Sequence, residues 1–209
     1  MKLVLATSNA GKVREMASYL ADLGFEVVSL AQLGVEQAAE TGATFRENAE
    51  LKAVSAARRT GHWALAEDSG LEVDALGGAP GVFSARYAGE SATDEANNRK
   101  LLEALHDVEF ARRTARFKTV MVLASPEGDV WVSEGTCEGY IATEPRGSGG
   151  FGYDPLFWVP ELGKCFAELS AEEKGQISHR GRALRAMTQL IKELVAGGAL
   201  DSRNQMTYD

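Results

Sequence analysis

Four apolar residues, Leu3 to Ala6, run straight into the polar turn Thr7-Ser8-Asn9-Ala10-Gly11-Lys12, and this junction constrains the fold more than any other feature of the chain. A short continuous apolar run that stops at a turn reads as a buried strand. Beyond the turn, Val13, Met16, Ala17, Leu20 and Leu23 recur at helical spacing, and Gly24 marks the stop. Phe25 to Leu30 reads as a second strand. Strand, helix and strand in that order favour an α/β architecture, with the polar turn joining the end of a buried strand to the start of a helix.

The rest of the chain continues the alternation. Residues 31–43 read as a loop, and Thr44 with Glu47 forms a capping box that opens a helix to about Arg59, closed by Gly61. His62 to Ala66 reads as a short strand running into a turn at Glu67-Asp68-Ser69-Gly70, and Leu71 to Ala75 as extended chain broken by Gly77 to Gly81. A helix is predicted from about Thr93 to Leu105. Phe117–Ala124 and Val130–Ser133 read as two strands of a hairpin around Ser125–Asp129. Leu156 to Val159 is extended between Pro155 and Pro160, and Ser170 with Glu173 forms a second capping box. Ser178 caps a last helix whose Leu184, Met187, Leu190, Ile191 and Leu194 make an apolar stripe ending at Gly197-Gly198. The chain has no internal repeat and no clear linker, so residues 1–196 are expected to form one domain and 197–209 a frayed tail.

Composition excludes several function classes. A chain of 209 residues with 44% apolar and 25% charged side chains folds around a sizeable core rather than staying disordered. With 22 basic against 30 acidic side chains, a net charge of −8, it is no general binder of long nucleic acid or of an anionic membrane. A small phosphorylated substrate stays open, because local cations override the global sign. The amino terminus lacks the length and cleavage site of a signal peptide, and no stretch approaches a membrane span, so a cytoplasmic protein is expected. Cys137 and Cys165 then read as free thiols, without zinc-site spacing.

Six polar constellations stand out. Thr7 to Lys12 would suit phosphate oxygens at a helix start, although plain helix capping by Asn9 is the simpler reading of this stretch alone and the spacing is not that of a Walker A loop. Asn48 and Lys52 share a helix face, where a lone lysine is ordinarily solvated. Glu36 and Glu40 lie in a loop that either reaches a cation or is simply acidic. Glu67 and Asp68 are paired carboxylates able to hold Mg²⁺ or to deprotonate a water, while an Asx turn accounts for Asp68 without chemistry. Lys174, Ser178, His179 and Arg180 sit where a loop enters a helix, with Arg180 suited to a purine edge or a phosphate. Finally, "RGSGGFGYDP" at 146–155 adds Phe151, Tyr153 and Asp154 to its glycines. Phosphate requires no aromatic face, whereas a base uses both a face and an acceptor.

Taken in order, "TSNAGK", "TGATFRENAELKA", "DSGLEVDALGGAPGVFSARYAG", "GSGGFGYDPLF" and "EEKGQISHRGRA" closely resemble the Ham1/RdgB-like noncanonical purine nucleoside triphosphate pyrophosphatases, the inosine triphosphate pyrophosphatases. The resemblance runs from about residue 1 to 196. It implies an elongated mixed sheet with flanking helices, two lobes around a nucleotide cleft, and a homodimer. It implies Mg²⁺-dependent hydrolysis of dITP, ITP and XTP between the α and β phosphates, giving the monophosphate and pyrophosphate and so cleansing the nucleotide pool. On matching positions, Thr7, Ser8, Asn9, Ala10, Gly11, Lys12 and Lys52 become triphosphate contacts. Asp68 becomes general base and metal ligand, with Ser69 as a substrate contact. Phe151, Gly152, Tyr153 and Asp154 become the nucleoside pocket with Phe151 stacking on the base, and Lys174, His179 and Arg180 its purine-recognition side. Two departures concern the metal: Glu67 stands where the family commonly has aspartate, and Ala39 where it commonly has glutamate, which leaves Glu40 or Glu67 to complete the ligand set beside Asp68. A purine-nucleotide sensor without turnover is the alternative function.

Overall fold

In the computed structural model, which describes residues 1–200, β1 (Lys2–Leu5) is flanked by two parallel partners, β2 (Glu26–Ser29) and β3 (Trp63–Val73). α1 (Ala10–Leu20) crosses from β1 to β2, and α2 (Phe45–Thr60) leads from β2 to β3. Beyond β3 the sheet turns antiparallel through β4 (Thr114–Ala124), β5 (Val130–Ile141), β6 (Phe157–Val159) and β7 (Lys164–Cys165), in the order β2-β1-β3-β4-β5-β6-β7. α3 (Asp94–Ala104) precedes β4, and α4 (Ala171–Ile177) and α5 (His179–Ala196) follow β7. The expected α/β architecture, a mixed sheet with flanking helices, is therefore what the chain adopts. Among the described residues no helix is long and apolar enough to cross a membrane.

Strand alternation splits the core into layers. Ala64, Ala66, Val120 and Val122 face α2, whose Ala49, Ala53, Ala56 and Ala57 pack directly against them. Leu65, Met121 and Leu123 face the opposite way, onto Met16 and Leu20 of α1 and Leu184, Met187 and Ile191 of α5. Each such buried leucine contributes about 2 kcal/mol relative to exposure. A third cluster, with Leu71, Leu101, Phe117, Phe157 and Phe166, holds the far half of the sheet against α3 and the loops around β6, making a second lobe. Of the expected tail, Leu200 is buried against the second of these layers, and residues 201–209 lie outside the described residues.

Three expectations need correction. Glu67-Asp68-Ser69-Gly70 is no turn but the middle of β3, paired residue for residue with Met121 to Lys118 of β4. The turn-forming residues are overruled by packing: a Cβ on Gly70 would lie 2.5 Å from the Gly81 carbonyl oxygen, so glycine is there to admit the segment Gly81–Arg86. The strand read as ending at Ser133 runs to Ile141, and its partner begins at Thr114 rather than Phe117. Gly135 broke the apolar pattern for a tertiary reason, since a Cβ there would lie 2.0 Å from the His179 carbonyl oxygen where α5 starts. Lys52 is not the solvated helix lysine of the ordinary reading, being only 3% exposed.

Candidate active site

β1 ends at Leu5, level with Leu65 of β3, so β3 continues past it and its next residues border the start of α1. The turn between β1 and α1 is internally satisfied. Asn9 Oδ1 accepts from Gly11 N at 2.9 Å and Lys12 N at 3.1 Å, which makes Asn9 the helix cap. Gln37 Oε1 accepts from Ser8 N, tying the turn to the loop that carries Glu40.

The two adjacent carboxylates of β3 point to opposite faces of the sheet. Asp68 faces α2. Asn48 Nδ2 donates to its Oδ2 at 3.1 Å, and Lys52 Nζ lies 3.4 Å from its Oδ1. The same Lys52 Nζ donates to Glu40 Oε1 at 2.6 Å, so two carboxylates converge on one buried ammonium. Their protonation is driven apart. Burial pushes Asp68 up, with the Glu40 charge adding to it against the pull of Lys52. Burial also pushes Glu40 up, but the charge and hydrogen bond of Lys52 outweigh it and hold Glu40 below its ordinary value. Such a split makes Asp68 the better proton acceptor of the two.

Glu67 faces α1 and α5 and is fully buried. Arg180 Nε donates to its Oε2 at 2.8 Å, and Lys12 Nζ lies 2.7 Å from its Oε1, off the hydrogen-bonding direction. Arg180 also donates to Glu15 Oε2 and Ser69 Oγ, both at 3.2 Å, so each nitrogen of its guanidinium is engaged. Despite the burial that would raise it, Glu67 is held far below the usual carboxylate range by Arg180 and then Lys12. Being on the other face, Glu67 does not share the convergence of Glu40 and Asp68.

The glycine-rich loop closes the far end. Gly150 has φ +74°, and a Cβ there would collide with Asp154, which instead accepts from Phe151 N at 2.9 Å. Lys174 Nζ binds the same Asp154 carboxylate and lies 4.9 Å from the Phe151 ring centroid, while the Arg180 guanidinium carbon lies 5.4 Å from it. Phe151 is 41% exposed, an aromatic face open to a ligand. Tyr153 is different: its hydroxyl donates to Ser84 O and its ring is buried, so it anchors the loop. His179 stacks on Phe117 with centroids 4.7 Å apart, and burial, then the Arg180 charge, drives it well toward the neutral form.

One cleft of about 310 Å³ gathers these groups, a size suited to a small organic ligand. Thr7, Ser8, Asn9, Lys12, Glu40 and Lys52 line it together with Phe151 to Asp154, Lys174, His179 and Arg180, and Ser69 receives both Lys12 and Arg180. Asp68 sits behind Lys52, Glu67 behind Lys12 and Arg180, and Gly11 is not part of the lining. Glu36, singled out with Glu40, instead offers its backbone carbonyl to Arg59. Gln37, Ser84, Asp94, Asn97 and Phe117 line the cleft without having been read as site residues. Asp94 and Asn97 carried only helix-start signals, and Phe117 only strand signals. Among the described residues, no three His, Cys, Asp or Glu side chains cluster as a metal site.

A family model described as the Ham1 family matches residues 3–190. The chain is 56% identical over 193 residues to a dITP/XTP pyrophosphatase of Shigella flexneri, covering 91% of this chain and 98% of that one. It is 54% identical over 195 residues to a dITP/XTP pyrophosphatase of Desulforamulus reducens, covering 93% and 97%. Its fold superposes on a HAM1 protein from Coxiella burnetii with a TM-score of 0.87 at 45% identity, covering 92% of this chain and 99% of that one. By sequence and fold, the chain belongs to the Ham1 family.

Proposed function

We propose that this protein hydrolyses dITP, ITP and XTP between the α and β phosphates, releasing the nucleoside monophosphate and pyrophosphate. The observation that carries the reading is a single cleft that brings together the ammonium groups of Lys12 and Lys52, Glu40 with Asp68 directly behind Lys52, and the open aromatic face of Phe151. A triphosphate fits the ammonium groups and a purine the aromatic face, and the relatives' activity fits both. Lys12 and Lys52 offset the charge that gathers on the leaving pyrophosphate. Asp68, the carboxylate pushed up by burial, takes a proton from the attacking water as its oxygen bonds to the α phosphorus and the bridging P–O bond breaks.

The residues present fit Mg²⁺. Glu40 and Asp68 are hard oxygen donors, and one or two carboxylates with substrate phosphates make an ordinary Mg²⁺ site. These two residues would hold the ion, which supplies charge neutralisation and polarisation of phosphoryl oxygens. Selectivity follows from Lys174 and Arg180 beside Phe151, which only donate hydrogen bonds. A 6-oxo purine offers them an acceptor, whereas adenine turns an amino donor toward them and leaves donors unpaired. The protein acts in the cytoplasm as a homodimer, as the resemblance implies, and a monomeric mass in sedimentation would overturn the latter.

The test is a panel of ITP, dITP, XTP, GTP and ATP with Mg²⁺ and identification of products. Monophosphate plus pyrophosphate from ITP, dITP and XTP supports the reading. Orthophosphate as first product, equal kcat/KM for ATP and ITP, or saturable ITP binding without turnover would overturn it.

A further inference from the structure

Asp94 and Asn98 lie one helical turn apart on α3 and hold both polar groups of one residue in the glycine-rich loop. Asp94 Oδ2 accepts from Gly152 N at 2.6 Å, and Asn98 Nδ2 donates to Gly152 O at 2.9 Å. α3 is itself fixed in place. Thr93 caps it, Leu101 is buried in the distal core, and Asn97 accepts from Ala88 N and donates to Ala85 O on the neighbouring wall of the cleft.

The loop needs such a hold. Gly147, Gly149, Gly150 and Gly152 give its backbone unusual freedom in solution, and Gly152 has φ +62°. Phe151 is half out of the protein, so side-chain packing alone does not fix its ring. The ring is instead aimed by the backbone on each side of it: Phe151 N on Asp154, and Gly152 on the α3 pair.

We propose that Asp94 and Asn98 are positioning residues, clamping the Gly152 peptide so that Phe151 stands ready to stack on the purine, an inference that rests on the proposed function of the cleft. Asn98 is the cleaner probe. Its side chain borders a separate groove behind the loop, whereas Asp94 lines the nucleotide cleft itself. The clamp acts on purine binding and leaves the phosphate end untouched, which separates it from a general structural role.

The experiment compares Asn98→Ala, Asp94→Ala and Asp94→Asn in wild-type and Phe151→Ala backgrounds. Losing one hydrogen bond should raise KM for ITP and Ki for inosine monophosphate about fivefold, with kcat and the Ki of pyrophosphate within about twofold. Asp94→Asn should recover most of the loss, because its amide oxygen accepts from the same N–H. In the Phe151→Ala background, Asn98→Ala should add no further loss. In the free protein, hydrogen exchange over residues 147–154 should quicken in Asn98→Ala. If that variant does not fold, Asn98→Asp keeps the volume, removes the donor and is read the same way. Equal rises in the Ki of pyrophosphate and inosine monophosphate, an undiminished effect without Phe151, or unaltered exchange overturns the clamp. A wild-type protein that releases no monophosphate and pyrophosphate overturns the proposed function instead, and the exchange measurement still decides on the clamp.

Discussion

Replacing Glu67 by glutamine keeps the shape of a fully buried side chain and removes one negative charge from between two cations. One amide oxygen can still accept from Arg180 Nε, but the amide NH₂ is then turned toward Lys12, a donor against a donor. Breaking a buried pair by removing one partner costs about 3–5 kcal/mol when the remaining charge is left alone. Here Arg180 keeps Glu15 and Ser69, and Lys12 is exposed enough to gain water, so the low end applies, about 3 kcal/mol. For a chain of this size that lowers Tm by about 6–12 °C. The assay is urea denaturation of both proteins from pH 8 down to pH 3. Because the folded-state pKa of Glu67 is depressed, its contribution is fully present above the unfolded value and lost as pH falls. The gap between wild type and Glu67→Gln should therefore hold from pH 8 to about pH 5 and narrow below about pH 4. A gap under about 1 kcal/mol at pH 7, or one that stays constant down to pH 3, would refute the reasoning.

Three further outcomes are expected. Asp68→Asn should lower kcat at least about 100-fold yet melt no earlier than wild type at neutral pH, because burial makes the ionised carboxylate the form the fold disfavours; calorimetry and a pyrophosphate assay read the two halves. With Asp68 as the proposed base, the acid limb of kcat/KM should follow its protonation. Lys52→Gln removes a charge that lowers Asp68 and should move the limb to higher pH, while Glu40→Gln removes one that raises it and should move it lower, so displacement of both in one direction contradicts the coupling. Cys137 and Cys165 are free and buried, with burial pushing both up to about 11, so a thiol reagent at pH 8 should label neither until the protein is unfolded.

Local patterns made the skeleton legible. The helix caps at Asn9, Thr44, Ser170 and Ser178 all form, because a cap is decided within three or four residues of sequence. The wrong readings lie where a neighbour distant in sequence overrides the local pattern. Asp-Ser-Gly at 68–70 is strand because it pairs with Lys118–Val120 of β4, and the strand after Ser133 was hidden by a glycine against which α5 packs.

By itself the sequence determined which chemical groups this protein possesses and the α/β order in which they occur, since hydrophobic periodicity and capping are short-range properties. It also carried the family resemblance that the comparisons bear out. Only the tertiary structure decided how those groups are shared out. Adjacent residues of a strand face opposite ways, so Asp68 joins Glu40 through Lys52 while Glu67 joins Lys12 and Arg180. Asp94 and Asn98 acquire their place at Gly152 from a contact more than fifty residues away, and no local pattern encodes that.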